Sequence, residues 1–112
     1  MAMTAYLDID QGSDFTTEIT LENDDGTPMS LVGFDIYSQF RKSYGSTVGY
    51  TFDTLITNAT QGKFTLSLLG TASSGIRPGR YLYDVEISNS TPSKARVLEG
   101  IITINPEITK IP

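Results

Sequence analysis

The sequence predicts an all-β protein, an antiparallel β-sandwich of about seven strands. Short runs of alternating apolar and polar residues recur along the chain between turn-forming residues, and helical periodicity is nowhere sustained. A turn at residues 76–80 also leads into a run in which every second residue is apolar, beginning at Tyr81. This arrangement is typical of a tyrosine corner, in which the ring is buried and its hydroxyl bonds backbone a few residues upstream.

Seven alternating runs account for the predicted strands. They cover residues 5–10, 15–22, 34–41, 48–56, 64–68, 81–88 and 95–104. Between them, residues 23–28 and 58–62 are rich in Asn, Asp and Gly, which favour turns. The small residues at 70–75 predict a single helical turn that crosses between the two sheets.

The chain length predicts a single domain. A chain of 112 residues buries roughly two-thirds of the surface that its unfolded form exposes, so it needs neither a metal nor a disulfide to fold. The sequence predicts that residues 1–104 form the sandwich. Residues 105–112, which contain two prolines, are predicted to form an extended C-terminal tail.

The composition argues against several classes of function. The net charge of −5 opposes binding to nucleic acid or to an anionic membrane, which depends on cationic side chains. Histidine and cysteine are both absent, so the commonest acid/base side chain and the thiolate metal ligand are missing. The sequence therefore predicts no cofactor, no catalytic residue and no enzymatic activity.

Two groups of carboxylates are candidate calcium ligands. They are Asp8, Asp10 and Asp14, and Glu22, Asp24 and Asp25. Calcium prefers several oxygen ligands at one place, but neither group has the spacing of an EF-hand loop. Both are interpreted as solvated loop charge, and the sequence predicts no metal site.

Exposed tyrosines offer a possible surface for binding carbohydrate. Tyr37, Tyr44 and Tyr50 are the predicted glycan contacts, with Tyr6 as a further candidate. Tyrosine is also a favoured strand residue that packs on one side and meets water on the other. The purely structural interpretation is therefore preferred over the glycan one.

The last predicted strand is apolar on both faces. Leu98 and Ile102 share one face, while Val97 and Ile101 lie opposite. Apolar residues on both faces indicate burial on both sides, and an uncovered apolar edge would invite aggregation. We therefore predict a homo-oligomer whose interface contains Val97, Leu98, Ile101, Ile102, Ile108 and Ile111.

A resemblance to a known family covers nearly the whole chain. The segments that carry it are Gly12-x-x-Phe15, Asp25-Gly26-Thr27-Pro28 with Leu31-x-Gly33-Phe34, Gly62-Lys63-Phe64-Thr65-Leu66, Pro78-Gly79-Arg80-Tyr81-x-Tyr83, Arg96-Val97-Leu98-Glu99-Gly100 and Pro106-Glu107-Ile108-Thr109. Together they resemble small Ig-like proteins encoded among the structural genes of tailed bacteriophages. Some of those proteins are similar to the N-terminal domains of baseplate proteins that carry receptor-binding fibres.

The resemblance implies an Ig-like fold and a role in a phage particle. The expected function is that of a virion structural protein, an accessory or connector of the capsid, neck, tail or baseplate. Its expected partners are other virion proteins, and its expected location is the virion, after synthesis in the host cytoplasm. The alternative is a small glycan-binding module for attachment to the host surface. Because the matching residues belong to turns and core, no catalytic or ligand-binding residue is implied.

Overall fold

The computed structural model describes residues 3–90 and 94–108, and within them it confirms an all-β sandwich. Its strands are β1 (Met3–Thr4), β2 (Leu7–Asp10), β3 (Phe15–Thr20), β4 (Phe34–Arg41), β5 (Gly49–Thr51), β6 (Asp53–Asn58), β7 (Lys63–Leu68), β8 (Gly79–Asn89) and β9 (Lys94–Asn105). A 3₁₀ turn spans Ala59–Gln61, and the predicted helical turn is present as α1 (Gly70–Ser73).

The strands form two sheets that enclose one core. The larger sheet has the order β9-β8-β4-β5, and both β1 and β2 pair with the outer side of β9. The smaller sheet has the order β3-β7-β6. All pairings are antiparallel except those of β1 and β2, which run parallel to β9. Side chains from both sheets are fully buried between them, including Ile9, Phe40, Phe64, Leu66 and Ile102.

The predicted first and fourth strands are each divided in two, which is why the structure has nine strands where about seven were predicted. The first strand is interrupted at Ala5 and Tyr6, between β1 and β2. The fourth is interrupted at Phe52, whose N–H donates to the carbonyl oxygen of Ser38 in β4 at 3.0 Å. Beyond Phe52 the chain leaves the larger sheet and enters the smaller one as β6.

The predicted tyrosine corner is confirmed. Tyr81 is buried, and its hydroxyl donates to the carbonyl oxygen of Arg77, four residues upstream, at 2.6 Å. Its ring packs edge-on against Phe40 of the neighbouring strand β4, with centroids 5.6 Å apart. Burial is the main cause that raises the pKa of Tyr81 above its ordinary value. The corner thus joins the turn before β8 to the core.

The interpretation of β9 as an uncovered apolar edge is wrong. β9 lies inside the larger sheet, between β8 and the N-terminal strands. The pairing with β8 shifts after Val85, which pairs with Leu98, because Glu86 pairs with Arg96 and Val97 is left over as a bulge. A bulge breaks the strict alternation of side chains, so Val97 and Leu98 are both buried in the chain's own core.

The sandwich extends slightly beyond the limit predicted at residue 104. Asn105 still pairs with Asp10 as the last residue of β9. The Glu107 N–H then donates to the side-chain carbonyl of Gln11 at 3.1 Å. Ile108 is 93% exposed. The rest of the predicted tail, including Ile111, lies outside the described residues.

Candidate binding surface

The larger sheet turns one face away from the core, and we call this its outer face. It is built from alternate residues of β4, β8 and β9. Three rows of paired residues cross it: Tyr37–Glu86–Arg96, Gln39–Asp84–Glu99 and Arg41–Leu82–Ile101. The face therefore combines one aromatic and two aliphatic side chains with charged groups of both signs.

The outer face forms a concavity of about 880 Å³, and aromatic side chains line it. Tyr37 lies on the sheet and is 58% exposed, while Tyr6 and Tyr44 are 74% and 81% exposed. Tyr44 belongs to the loop after β4, and Tyr6 belongs to the interruption between β1 and β2. Three tyrosines from distant parts of the sequence are thereby brought to one surface.

Close packing under the N-terminal segment positions Tyr6. The Ala5 N–H donates to the Glu99 carbonyl oxygen at 3.0 Å, and the Ala5 carbonyl oxygen accepts a hydrogen bond from the buried Tyr83 hydroxyl at 2.8 Å. Ala5 passes directly over Gly100, where a Cβ atom would overlap the Ala5 carbonyl oxygen. Gly100 and Tyr83 therefore fix the path of the backbone that places Tyr6 beside the outer face.

Two arginines organise the polar groups of this surface. The Arg96 guanidinium lies 3.2 Å from carboxylate oxygens of both Asp84 and Glu99. The Arg41 guanidinium donates to the Gln39 side-chain oxygen at 2.9 Å and to the Ser46 carbonyl oxygen at 3.0 Å. Because Ser46 belongs to the loop that carries Tyr44, Arg41 connects that loop to the sheet.

The structure separates the predicted glycan contacts. Tyr37 and Tyr44 line the concavity, and so does Tyr6. Tyr50 lies on the opposite side of the sheet, where its ring packs 5.2 Å from Phe40 and 6.1 Å from Tyr81. In the register of β5 with β4, Tyr50 pairs with the inward-facing Phe40, which is why it faces the core.

The structure places some of the predicted interface residues in the core and others on the surface. Leu98 and Ile102 are buried with Val97 in the chain's own core, and so they do not lie on the surface of the sandwich. Ile101 lines the concavity, and Ile108 is exposed on the C-terminal segment. Sequence reasoning did not single out Leu82 or Arg96. The alternation of β8 was a signal for Leu82, whereas Arg96 reaches the outer face only because the bulge at Val97 interrupts the alternation of β9. That Ile101 and Ile108 contact another subunit stays a prediction.

Two of the loop carboxylates, Asp14 and Asp25, accept hydrogen bonds from backbone N–H groups. Asp25 accepts hydrogen bonds from the hydroxyl and the N–H of Thr27, at 2.6 and 3.0 Å, and the Thr27 hydroxyl is the main cause that lowers the pKa of Asp25. Asp14 accepts a hydrogen bond from the Gly70 N–H at 2.7 Å, at the start of α1. Across residues 3–90 and 94–108, no group of three or more Asp or Glu side chains is arranged to hold a metal ion.

The same residues contain no helix long and apolar enough to cross a membrane.

Comparison with known proteins adds two distant structural likenesses. No family model and no curated protein matches this chain. An internalin-like protein of Listeria monocytogenes is 15% identical with a TM-score of 0.49, over 93% of this chain and 28% of that protein. A family 123 glycoside hydrolase from Clostridium perfringens is 9% identical with a TM-score of 0.43, over 95% of this chain and 23% of that protein. The chain thus spans less than a third of the length of either protein.

Proposed function

We propose that this chain is a non-enzymatic structural protein of a tailed-bacteriophage particle that acts through contacts with other virion proteins. The resemblance of its turn and core segments to phage structural proteins supports this role. The proposal locates the protein in the virion, as an accessory or connector. The outer face is the surface through which it contacts its neighbour.

The composition of the outer face is the observation that carries this proposal. Protein interfaces are enriched in tyrosine and arginine, and these residues are over-represented at the few positions that carry most of the binding energy. The concavity is lined by Tyr6, Tyr37 and Tyr44, together with Arg41 and Arg96. Its charged groups of both signs give a partner a defined orientation.

Two measurements test the proposal. Mass spectrometry of purified particles of the phage that carries this gene should detect the protein in a fixed ratio to the other virion proteins. The wild-type protein should also dock onto particles that lack it, and Tyr37→Ala should weaken that docking by at least about tenfold, as for a residue at the centre of an interface.

Val32→Ala is the matched control, because Val32 is 62% exposed but does not line the concavity. It should dock like the wild type. Absence of the protein from particles would overturn the proposed role. Equal docking by both variants would show that the outer face is not the contact surface.

A glycan-binding role is the second candidate, and one specific observation favours it. Tyr37 and Tyr44 share a concavity with polar side chains, including Gln39 and Glu86. Small-molecule sites are concave, with volumes of about 300–1,000 Å³, and combine apolar walls with a few polar groups. The concavity of about 880 Å³ falls within that range.

A glycan array probed with the purified domain separates the two roles. Binding that is lost in both Tyr37→Ala and Tyr44→Ala, and kept in Val32→Ala, would favour the glycan role. A structural protein should bind no glycan and should be found only with the particle. Both proposed roles use the outer face, so Tyr37→Ala and its control Val32→Ala test both of them.

A further inference from the structure

The strand β3 has a free edge. Across the described ranges 3–90 and 94–108, β3 pairs only with β7, through an uninterrupted register from Phe15 opposite Leu68 to Thr20 opposite Lys63. The N-terminal strands β1 and β2 pair with β9 and not with this edge. The smaller sheet consequently ends at β3.

The backbone groups at this edge are identified by alternation. The Leu21 N–H donates to the Gly62 carbonyl oxygen at 2.9 Å, towards β7. In an antiparallel strand successive residues point their N–H and carbonyl groups to opposite sides. Thr17 and Ile19 therefore bond β7, while Thr16 and Glu18 direct their backbone groups to the free edge.

β3 lacks several of the features that usually prevent edge-to-edge pairing. Protected edges contain proline, lysine or a bulge, whereas β3 reads Phe-Thr-Thr-Glu-Ile-Thr and its register with β7 has no shift. The Glu18 carboxylate accepts a hydrogen bond from the Thr57 hydroxyl of β6 at 3.2 Å, so this charge lies over the sheet and not beyond its edge. On the inner side, Phe15 and Ile19 are only partly buried.

We propose that a second copy of this chain pairs with the free edge of β3, antiparallel and centred on Thr17. In this register Thr16 lies opposite Glu18 of the other copy, and Phe15 lies opposite Ile19. Both Thr16–Glu18 pairs exchange backbone hydrogen bonds, about four in total. The apolar Phe15–Ile19 pairs meet on the inner side and cover surface that the single chain leaves partly exposed.

Electrostatic repulsion disfavours the neighbouring register, which is centred on Glu18. Pairing centred on Glu18 would place the two Glu18 side chains directly opposite, and like charges in that position are destabilising. Pairing shifted by a single residue would set inward side chains against outward ones. The register centred on Thr17 avoids both conflicts, so the strand is complementary to itself.

The pairing joins the two smaller sheets into one continuous six-stranded sheet. A contact made by a single short strand from each copy is small, and small interfaces are weak. It therefore requires a high protein concentration, or the high effective concentration created when several copies are held on one assembly. The proposal is independent of the outer face, which lies on the other sheet.

Amide hydrogen exchange of the unmodified protein tests the proposal residue by residue. Exchange should be followed by NMR at a low protein concentration and at about 1 mM, where an association of weak affinity is measurable. The amides of Thr16 and Glu18 should exchange at least about tenfold more slowly at the higher concentration. The amides of Thr17 and Ile19 should be protected at both concentrations because they already bond β7.

Glu18→Pro and Glu18→Gln form the matched pair of variants. Proline removes the N–H that faces the free edge but no hydrogen bond to β7, and edge strands tolerate proline on that side. Sedimentation velocity at about 1 mM, the concentration of the exchange experiment, should show monomer for Glu18→Pro and retained dimer for Glu18→Gln, which keeps the backbone donor. Concentration-independent exchange at Thr16 and Glu18, or a dimer that survives in Glu18→Pro, would overturn the proposal.

Discussion

The larger sheet carries tyrosines on both of its faces, and the two groups have different roles. Tyr81 and Tyr83 face the core, and their hydroxyls donate to the carbonyl oxygens of Arg77 and Ala5. Tyr37 faces solvent from the same sheet, and Tyr44 lies in the loop beside it. The inner hydroxyls join separate segments of backbone, whereas the outer rings are largely exposed to solvent.

This difference predicts that stability and the proposed docking can be changed separately in this protein. Replacing an inner tyrosine removes a part-buried hydrogen bond and leaves its carbonyl partner without that donor, which costs free energy of folding. Replacing an exposed residue usually changes stability by less than about 0.5 kcal/mol. Substitutions on the two faces should therefore give opposite patterns of effect on folding and on docking.

The largest effect on stability is expected from Gly100→Ala. The added Cβ atom would overlap the Ala5 carbonyl oxygen, and forcing extra atoms into a packed site costs about 1–3 kcal/mol. We expect a loss near the upper end of that range, measured by urea denaturation, with increased exchange of the β1 and β2 amides. Gly45→Ala is the control, because a Cβ at Gly45 meets nothing within 4 Å. Equal stability of the two variants would contradict the close approach of Ala5 to Gly100.

Tyr81→Phe should have the next largest effect. It removes the hydroxyl that bonds the Arg77 carbonyl oxygen and should lower the free energy of unfolding by about 1 kcal/mol or more. The midpoint of chemical denaturation measures this loss. Tyr37→Phe makes the same chemical change on the exposed face and should have almost no effect. If both variants lose the same stability, the tyrosine corner does not stabilise the fold.

Most of the fold could be predicted because alternation and turn residues are local signals. The alternation from Tyr81 to Ser88, the turn at Asp25 and the helical turn at residues 70–75 all appear in the structure. The error at β9 came from two properties that a single strand does not encode. One is the bulge at Val97, and the other is the pairing of the N-terminal strands with the far side of β9.

The candidate surface was harder to predict because it combines residues from distant parts of the chain. Periodicity placed Tyr37 outside and Tyr81 inside, but the proximity of Tyr6 to Tyr37 depends on the strand order of the larger sheet. Tyr50 was misplaced because its strand is short and pairs with β4 in a register that turns it towards Phe40. Strand order and register are set by tertiary packing, which composition and spacing do not reveal.

Alkaline pH should weaken the fold through the inner tyrosines. Burial raises the pKa of Tyr83 from 10.0 to about 12, so between these values the unfolded chain holds fewer protons than the folded one. Stability from this group is complete below pH 10 and falls as the pH rises towards 12. Urea midpoints at pH 9 and pH 11 should differ more for the wild type than for Tyr83→Phe. An identical pH dependence would show that the Tyr83 hydroxyl is not protected by burial.

The smallest effect on stability, and the sharpest separation of the two faces, is expected from Tyr37→Ala. Tyr37 is 58% exposed on the outer face, so its truncation should change the free energy of unfolding by no more than about 0.5 kcal/mol. The same variant should weaken docking to the proposed partner, because the Tyr37 ring contributes apolar area to the lining of the concavity. Tyr81→Phe should show the reverse, with lower stability but unchanged docking of the folded fraction. The free energy of unfolding and docking should be measured for both variants. If Tyr37→Ala is destabilised as much as Tyr81→Phe, the outer tyrosine contributes to the stability of the fold.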